Sequence, residues 1–152
     1  MLSISYTIKS FDELSTTELY EILQLRIQVF VIEQNCPYQD ADGKDNQSYH
    51  LMGRDANGDL QTYTRLVPAG VSYEGYTSIG RVVTSEAVRG QKAGVKLMEV
   101  SMEEIIKLWP GLPVKISAQS HLQRFYRKFG FESIGEEYLE DDIPHIAMVS
   151  NQ

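Results

Sequence analysis

The chain has 152 residues, and its 14 Lys and Arg against 21 Asp and Glu give a formal charge of −7. That length holds one domain, and a negative overall field disfavours nucleic acid as a partner and favours a cationic one. Apolar residues at 42% and charged residues at 23% are globular proportions, no apolar run reaches the roughly 18 residues of a membrane span, and Cys36 alone excludes an internal disulfide. No secretory leader pattern opens the chain, so a cytoplasmic protein is expected.

Residues 2–9 alternate loosely and read as a first strand. Ser15-Thr16-Thr17-Glu18 has the spacing of a capping box and opens a helix to about residue 31, with Leu19, Ile22, Leu23 and Phe30 at helical intervals. Arg26 falls in the apolar half of that helix, where a buried guanidinium demands carboxylate or carbonyl partners. The turn-rich segment that follows is a long loop, of a kind that is usually functional or mobile. Its Asp40-x-Asp42-Gly43 stretch lacks the rest of a calcium loop, because Lys44 and Asp45 stand where a ligand and a glycine are needed, so no metal is expected. Residues 48–54 and 60–67 make a hairpin around Asn57-Gly58, both tolerant of positive φ.

A strand over 78–84 then runs through a glycine-bearing loop into a helix over 94–109, stopped by Pro110-Gly111. A strand at 113–119 leads to a short helix that Ser120 is placed to cap. That helix carries Leu122, Phe125 and Phe129, and Gly130 ends it in the left-handed conformation. Two strands, 131–138 and 145–149, flank an acidic loop. Strands interleaved with helices predict an α/β (α+β) fold with a mixed sheet.

The most informative stretch is Ile79–Val83 followed by Val88–Met98. A strand enters a loop that opens a helix, and the first amides of a helix lack internal partners and carry the positive end of its dipole. Such an end binds phosphate. Gly90 and Gly94 let an oxyanion near the backbone, and Arg81, Arg89, Lys92 and Lys96 reverse the local charge of an acidic chain. The spacing is neither a Walker loop nor a dinucleotide fingerprint. An exposed basic loop that merely caps a helix is the alternative.

The Val88–Gly94 loop resembles the acyl-CoA pyrophosphate loop of the GCN5-related N-acetyltransferases, Q/R-x-x-G-x-G/A, with Arg89 opening the match, Gly94 closing it and Lys92 replacing the middle glycine. Gln119, Leu122, Phe125-Tyr126, Lys128 and Gly130-Phe131 resemble the family's second signature, with Gln119 and Leu122 where Asn and Ala are usual. The blocks RIQVFVIEQNCPYQDADGKD and DDIPHIAM bring the chain nearest to the ElaA-like subgroup. The resemblance implies a single-domain fold with a splayed central sheet and acetyl-CoA lying in the wedge between strands 78–84 and 113–119. It implies that pantetheine pairs with the backbone of Arg81, Val82 and Val83, and that the diphosphate rests on Arg89, Gly90, Gln91, Lys92, Ala93 and Gly94, with Gln119 beside the cofactor.

It further implies that Tyr126 protonates the departing thiolate, while the alternative for Tyr126 is a core tyrosine. The expected activity is direct transfer of acetyl to a primary amine, whether small amine, polyamine or peptide, through a tetrahedral intermediate and without a metal. The rival is a non-catalytic acyl-CoA sensor, with a nucleotide-phosphate binder weaker still. For the general base, His145 comes first, since an unperturbed imidazole titrates near neutrality; a strand-end hydrogen bond is its alternative. Glu33 comes second, against a solvated helix-end carboxylate. His50 and His121 carry no supporting pattern. The run Glu136, Glu137, Glu140, Asp141, Asp142 is a solvated edge or the rim of an acceptor mouth, with the Asp40–Asp45 loop as the other lip. Cys36 is incidental, and a monomer or homodimer is expected.

Overall fold

The computed structural model describes residues 2–151. Strands β1 (Ser5–Ser10), β2 (Tyr49–Arg54), β3 (Leu60–Val67) and β4 (Ser78–Thr84) form one antiparallel sheet in that order, and β5 (Val114–Gln119), β7 (Ile143–Ser150) and β6 (Glu132–Glu140) form a second with β7 in the middle. The two sheets meet where Thr77 bridges Val114 in parallel, through Thr77 N to Pro113 O at 3.0 Å and Lys115 N to Thr77 O at 2.9 Å. Past that bridge β4 and β5 diverge, and the facing edge of β4 carries no strand among the described residues. A splayed sheet is therefore what the sequence resemblance implied.

Helix α1 (Thr16–Arg26) opens on its capping box: Ser15 Oγ accepts from Glu18 N–H at 3.0 Å, and Glu18 accepts from Ser15 N–H at 2.8 Å. It does not run on as an α-helix. From Ile27 to Glu33 the turns widen to a π-helix, closed by Cys36 N–H to Val31 O at 3.1 Å. Four β-branched residues, Ile27, Val29, Val31 and Ile32, crowd that segment, and such side chains sit poorly against the preceding turn of an α-helix. Helix α2 (Ala93–Leu108) covers the opposite face, packing Met98 and Ile105 with Leu66, Ile79, Val114 and Met148. The α1 side packs Ile22 and Val29 on Met52, Tyr63 and Val83. Short α3 (Gln123–Arg127) closes the far end, and Gly130 follows it at φ 88° as predicted.

Local details correct the sequence reading. The β2–β3 hairpin has a longer loop than a two-residue turn: Gly58 alone among its residues takes positive φ, and Asp55 Oδ1 accepts from the amides of Asn57 and Asp59. Ser120 does not cap α3. Its hydroxyl is buried without a partner, and a 3-10 turn over Ser120–Leu122 precedes the helix. The acidic loop is a tight turn at Asp141-Asp142, with φ of 51° and 61°, the left-handed pair that a type I′ hairpin requires.

The long 34–48 segment is not a loose loop. Arg26 is fully buried and binds Asp40 Oδ2 at 3.0 Å, Asp40 O at 3.0 Å and Asp45 Oδ1 at 2.8 Å. Arg65, in mid-β3, binds Asp42 Oδ1 at 2.8 Å and Asp45 Oδ1 at 2.9 Å. Arg81 on β4 binds Asp40 Oδ1 at 3.0 Å and Asp42 Oδ2 at 3.3 Å, and its guanidinium lies over the Tyr38 ring. Three cations thus neutralise three carboxylates, so the loop forms no acidic lip. His50 is buried beneath, its Nε2–H donating to Asp45 O at 2.9 Å and its Nδ1 accepting from Tyr63 O–H at 2.6 Å, and burial lowers its pKa.

Asp45→Ala leaves Arg26 and Arg65 under-paired and is expected to cost about 3–5 kcal/mol in urea unfolding. Burial alone would raise the carboxyls of Asp42 and Asp45, but the arginines hold both below their usual values. Their contribution to stability is therefore present above the unfolded value near pH ~4 and drains away as pH falls below it; acid titration of the melting temperature should show this loss, and Asp42→Asn should flatten it.

Candidate active site

The divergence of β4 from β5 leaves a cleft of about 510 Å³. One wall is β4, where the ladder breaks: Arg65 pairs Gly80 and Tyr63 pairs Val83, so Arg81 and Val82 together stand opposite Thr64. Arg81 takes φ 50°, a left-handed conformation that costs an ordinary L-residue about 1–2 kcal/mol. The network just described holds it there. Bulges of this kind re-aim side chains next to active sites. Here Ile79 and Val82 pack toward α2 while Val83 packs toward α1, although strict alternation would set 79 and 83 on one face.

The other walls come from β5, β7 and the helices. Tyr126 lines the cleft from α3, 8% exposed, and burial pushes its phenol up to about 12. His145 enters from the start of β7, opposite Gln119 of β5 in register, and both line the cleft. His145 Nδ1 lies 2.7 Å from the Ile143 carbonyl, which can only accept, so Nδ1 carries a proton and, in the neutral ring, the lone pair is on Nε2. Glu33, at the end of the π-helix, also reaches the cleft, but its carboxylate is 2.7 Å from Arg89 Nη2. Arg89 further donates to Thr84 O at 3.0 Å. Of the four basic residues the sequence singled out, Arg81 and Arg89 are thus committed to acids, Lys96 lies 3.9 Å from Glu99 on the surface of α2, and Lys92 stands exposed at the helix start.

Gly90, Gln91, Lys92, Ala93 and Gly94 lie beyond the cleft wall, at the N-terminus of α2. Lys92 caps the helix in the left-handed region at φ 60°, with no side-chain cap, and Gly90 sits at φ 80° with open space around it. The amides of Ala93 to Val95 precede the first intrahelical bond, Lys96 N to Lys92 O. The residues present therefore suit a CoA thioester: an unpaired strand edge for an extended arm, and free amides with a bare glycine for a diphosphate. Of the acidic run, Glu140 and Asp141 line the cleft; Glu136 and Glu137 stay exposed on β6. Cys36, Tyr38 and His121 line it too. Tyr38 has a signal in hindsight, an aromatic between Pro37 and the acidic loop; for the bulge no signal exists in the sequence.

Comparison with known proteins agrees with this geometry. Residues 19–151 match the profile described as the acetyltransferase (GNAT) domain. The chain belongs to that family. It is 49% identical to protein ElaA of Escherichia coli strain K12, over 90% of each chain, and 38% identical to a UPF0039 protein of Schizosaccharomyces pombe, over 97% of each. Its fold superposes on an acyl-CoA N-acyltransferase from Pseudomonas aeruginosa with a TM-score of 0.92 at 48% identity, covering 97% of this chain and 99% of that one. The crystal structure of Escherichia coli ElaA gives 0.90 at 44% identity over the same shares. Membership of the GNAT family makes this an acyltransferase fold that takes an acyl-CoA as cosubstrate. Among the described residues no helix is long and apolar enough to cross a membrane.

The two loop glycines should respond differently to alanine. Gly90→Ala fits sterically but strains a positive φ and should cost about 1 kcal/mol. Gly94 is helical, and its added Cβ would meet Phe125 at 3.8 Å and Thr84 at 4.0 Å, ordinary contacts, so Gly94→Ala should be neutral or gain up to about 1 kcal/mol of helix propensity. Thermal melts of the two variants compare them directly.

Proposed function

We propose that the protein is an N-acetyltransferase that passes the acetyl group of acetyl-CoA directly to a primary amine. The observation that carries this reading is the convergence of Tyr126, His145 and the bulged edge of β4 on one cleft. Bound acetyl-CoA supplies an activated acyl carbon. The backbone of Arg81, Val82 and Val83 pairs with the extended arm of the cosubstrate, groups that would otherwise stay unsatisfied on an open strand edge. A β4 amide at Val82 or Val83 polarises the acyl oxygen, the kind of contribution that is usually largest in acyl transfer. Gly90 to Gly94 present the helix-start amides to the diphosphate, with Lys92 adding its ammonium group, and Gln119 borders the same site.

His145 takes a proton from the acceptor nitrogen at Nε2. The support is the Nδ1–H bond to Ile143 O, which leaves that lone pair free. Tyr126 gives its hydroxyl proton to the departing sulfur; a phenol held at about 12 by burial stays protonated throughout the neutral and moderately alkaline range. Glu33, tied to Arg89, holds the cofactor loop to the π-helix rather than acting as the base.

Thiol release from acetyl-CoA, with mass detection of the acetylated product across a panel of primary amines, tests the reading. Equal yields of thiol and acetyl-amine are expected; tight CoA binding with no transfer to any amine would instead identify an acyl-CoA sensor. Tyr126→Phe should lower kcat by about 10²–10⁴-fold and leave CoA affinity by calorimetry unchanged. An unaltered kcat, with chemistry shown to be rate-limiting, removes Tyr126 from its role.

A further inference from the structure

Beside the groups already used, Ser117 and Glu140 line the cleft and belong to a polar chain from two strands of the second sheet. Ser117 of β5 makes a short contact with the Tyr138 hydroxyl of β6 and lies 3.2 Å from Glu140 Oε1. A carboxylate only accepts, so Ser117 O–H donates to Glu140 and Tyr138 O–H donates to Ser117. That relay fixes one oxygen of Glu140. The other, Oε2, faces His145 Nε2 at 3.5 Å. His145 is 7% exposed, and the Tyr138 ring stacks on it at 6.3 Å and 25°.

Nδ1–H donates to Ile143 O, so in the neutral ring the Nε2 lone pair faces Glu140 Oε2 at 3.5 Å and two acceptors meet. In that form the pair lacks a donor. An ammonium group, with its several N–H bonds and positive charge, completes it.

We infer that Glu140 and His145 together seat the ammonium group of the acceptor, with Ser117 and Tyr138 as positioning residues. The inference rests on the amine-acetylating reading above and narrows its substrate class. Glu140 Oε2 takes one N–H and the charge. His145 Nε2 takes a second N–H and then removes that proton, leaving a neutral amine with its lone pair free to form the C–N bond. Asp141 lines the cleft next to Glu140, so a carboxylate on the carbon bearing the amine would meet two acids. The seat therefore selects amines without an α-carboxylate over α-amino acids.

Steady-state kinetics on butylamine, cadaverine and spermidine, against norleucine and lysine methylated at its side-chain nitrogen, tests the selection. The wild-type protein should prefer the first group. Glu140 is half exposed, so Glu140→Gln should fold normally. It should raise KM for the amines about 10- to 100-fold, as loss of a charged hydrogen bond does, with KM for acetyl-CoA unchanged and the penalty on the α-amino acids reduced. A second reading needs no turnover: butylammonium should move the Nε2 signal of His145 in ¹⁵N NMR of the wild type and fail to do so in Glu140→Gln. Amines acetylated equally well by Glu140→Gln, or α-amino acids used as readily as amines, overturn the seat and leave the acetyltransferase reading standing. No acetylation of any amine, together with no NMR response to butylammonium, overturns both.

Discussion

The structure depends on the closure of three arginines on three aspartates. Arg26 from α1, Arg65 from β3 and Arg81 from β4 meet Asp40, Asp42 and Asp45 from one segment of chain. Each cation would be costly if buried alone, and each carboxylate gives the loop a reason to lie against the sheet. The same set of contacts anchors the segment over the β4 bulge, supplies Tyr38 to the cleft wall and keeps a left-handed Arg81 in place. Stability and site geometry are thus one problem here, solved by charge pairing in a protein whose core is otherwise ordinary.

The bulge and the divergence of the sheets act together. Divergence alone would leave a regular strand edge facing the cleft. The added residue at Arg81 breaks the ladder to β3 and reverses which face the following side chains occupy. In return the cleft is bounded by backbone on one side and by side chains from α3, β5 and β7 on the other. The buried pair Thr64 and Ser101 lies where the ladder is interrupted: Ser101 donates to Leu97 O at 2.7 Å, so Thr64 O–H donates to Ser101 at 2.8 Å and both hydroxyls are satisfied.

Elements whose signals are local were legible in the sequence. The capping box at Ser15 and Glu18 and the glycine after α3 act over a few residues and appear where they were read, while the alternation over residues 2–9 marks β1, which begins at Ser5. Tyr126 was found through motif resemblance and His145 through the chemistry of its imidazole, and the fold brings both to one cleft. What was not legible depends on distance or on a single backbone angle. Arg26 called for acidic partners, but nothing nearby said that they lie 14 and 19 residues on. Arg81 is no favourite of the left-handed region, so Ile-Gly-Arg-Val-Val reads as a plain strand. Ser120 has the chemistry of a cap and lacks the position, because a 3-10 turn intervenes. Three arginines in apolar elements beside Asp-x-Asp-x-x-Asp were the one available hint of the network.

The π-helical stretch from Ile27 to Glu33 sets the direction in which the chain leaves α1. A π-turn holds one residue more than an α-turn, so the same residues wound as a continuous α-helix would arrive one residue out of phase. Everything after the turn would then be rotated by about 100° about the helix axis. Glu33 would swing off Arg89, and the chain entering the aspartate loop would leave in the wrong direction. The segment is in this sense a phase setting: one residue of slack, wound into the helix, aligns its exit with the sheet.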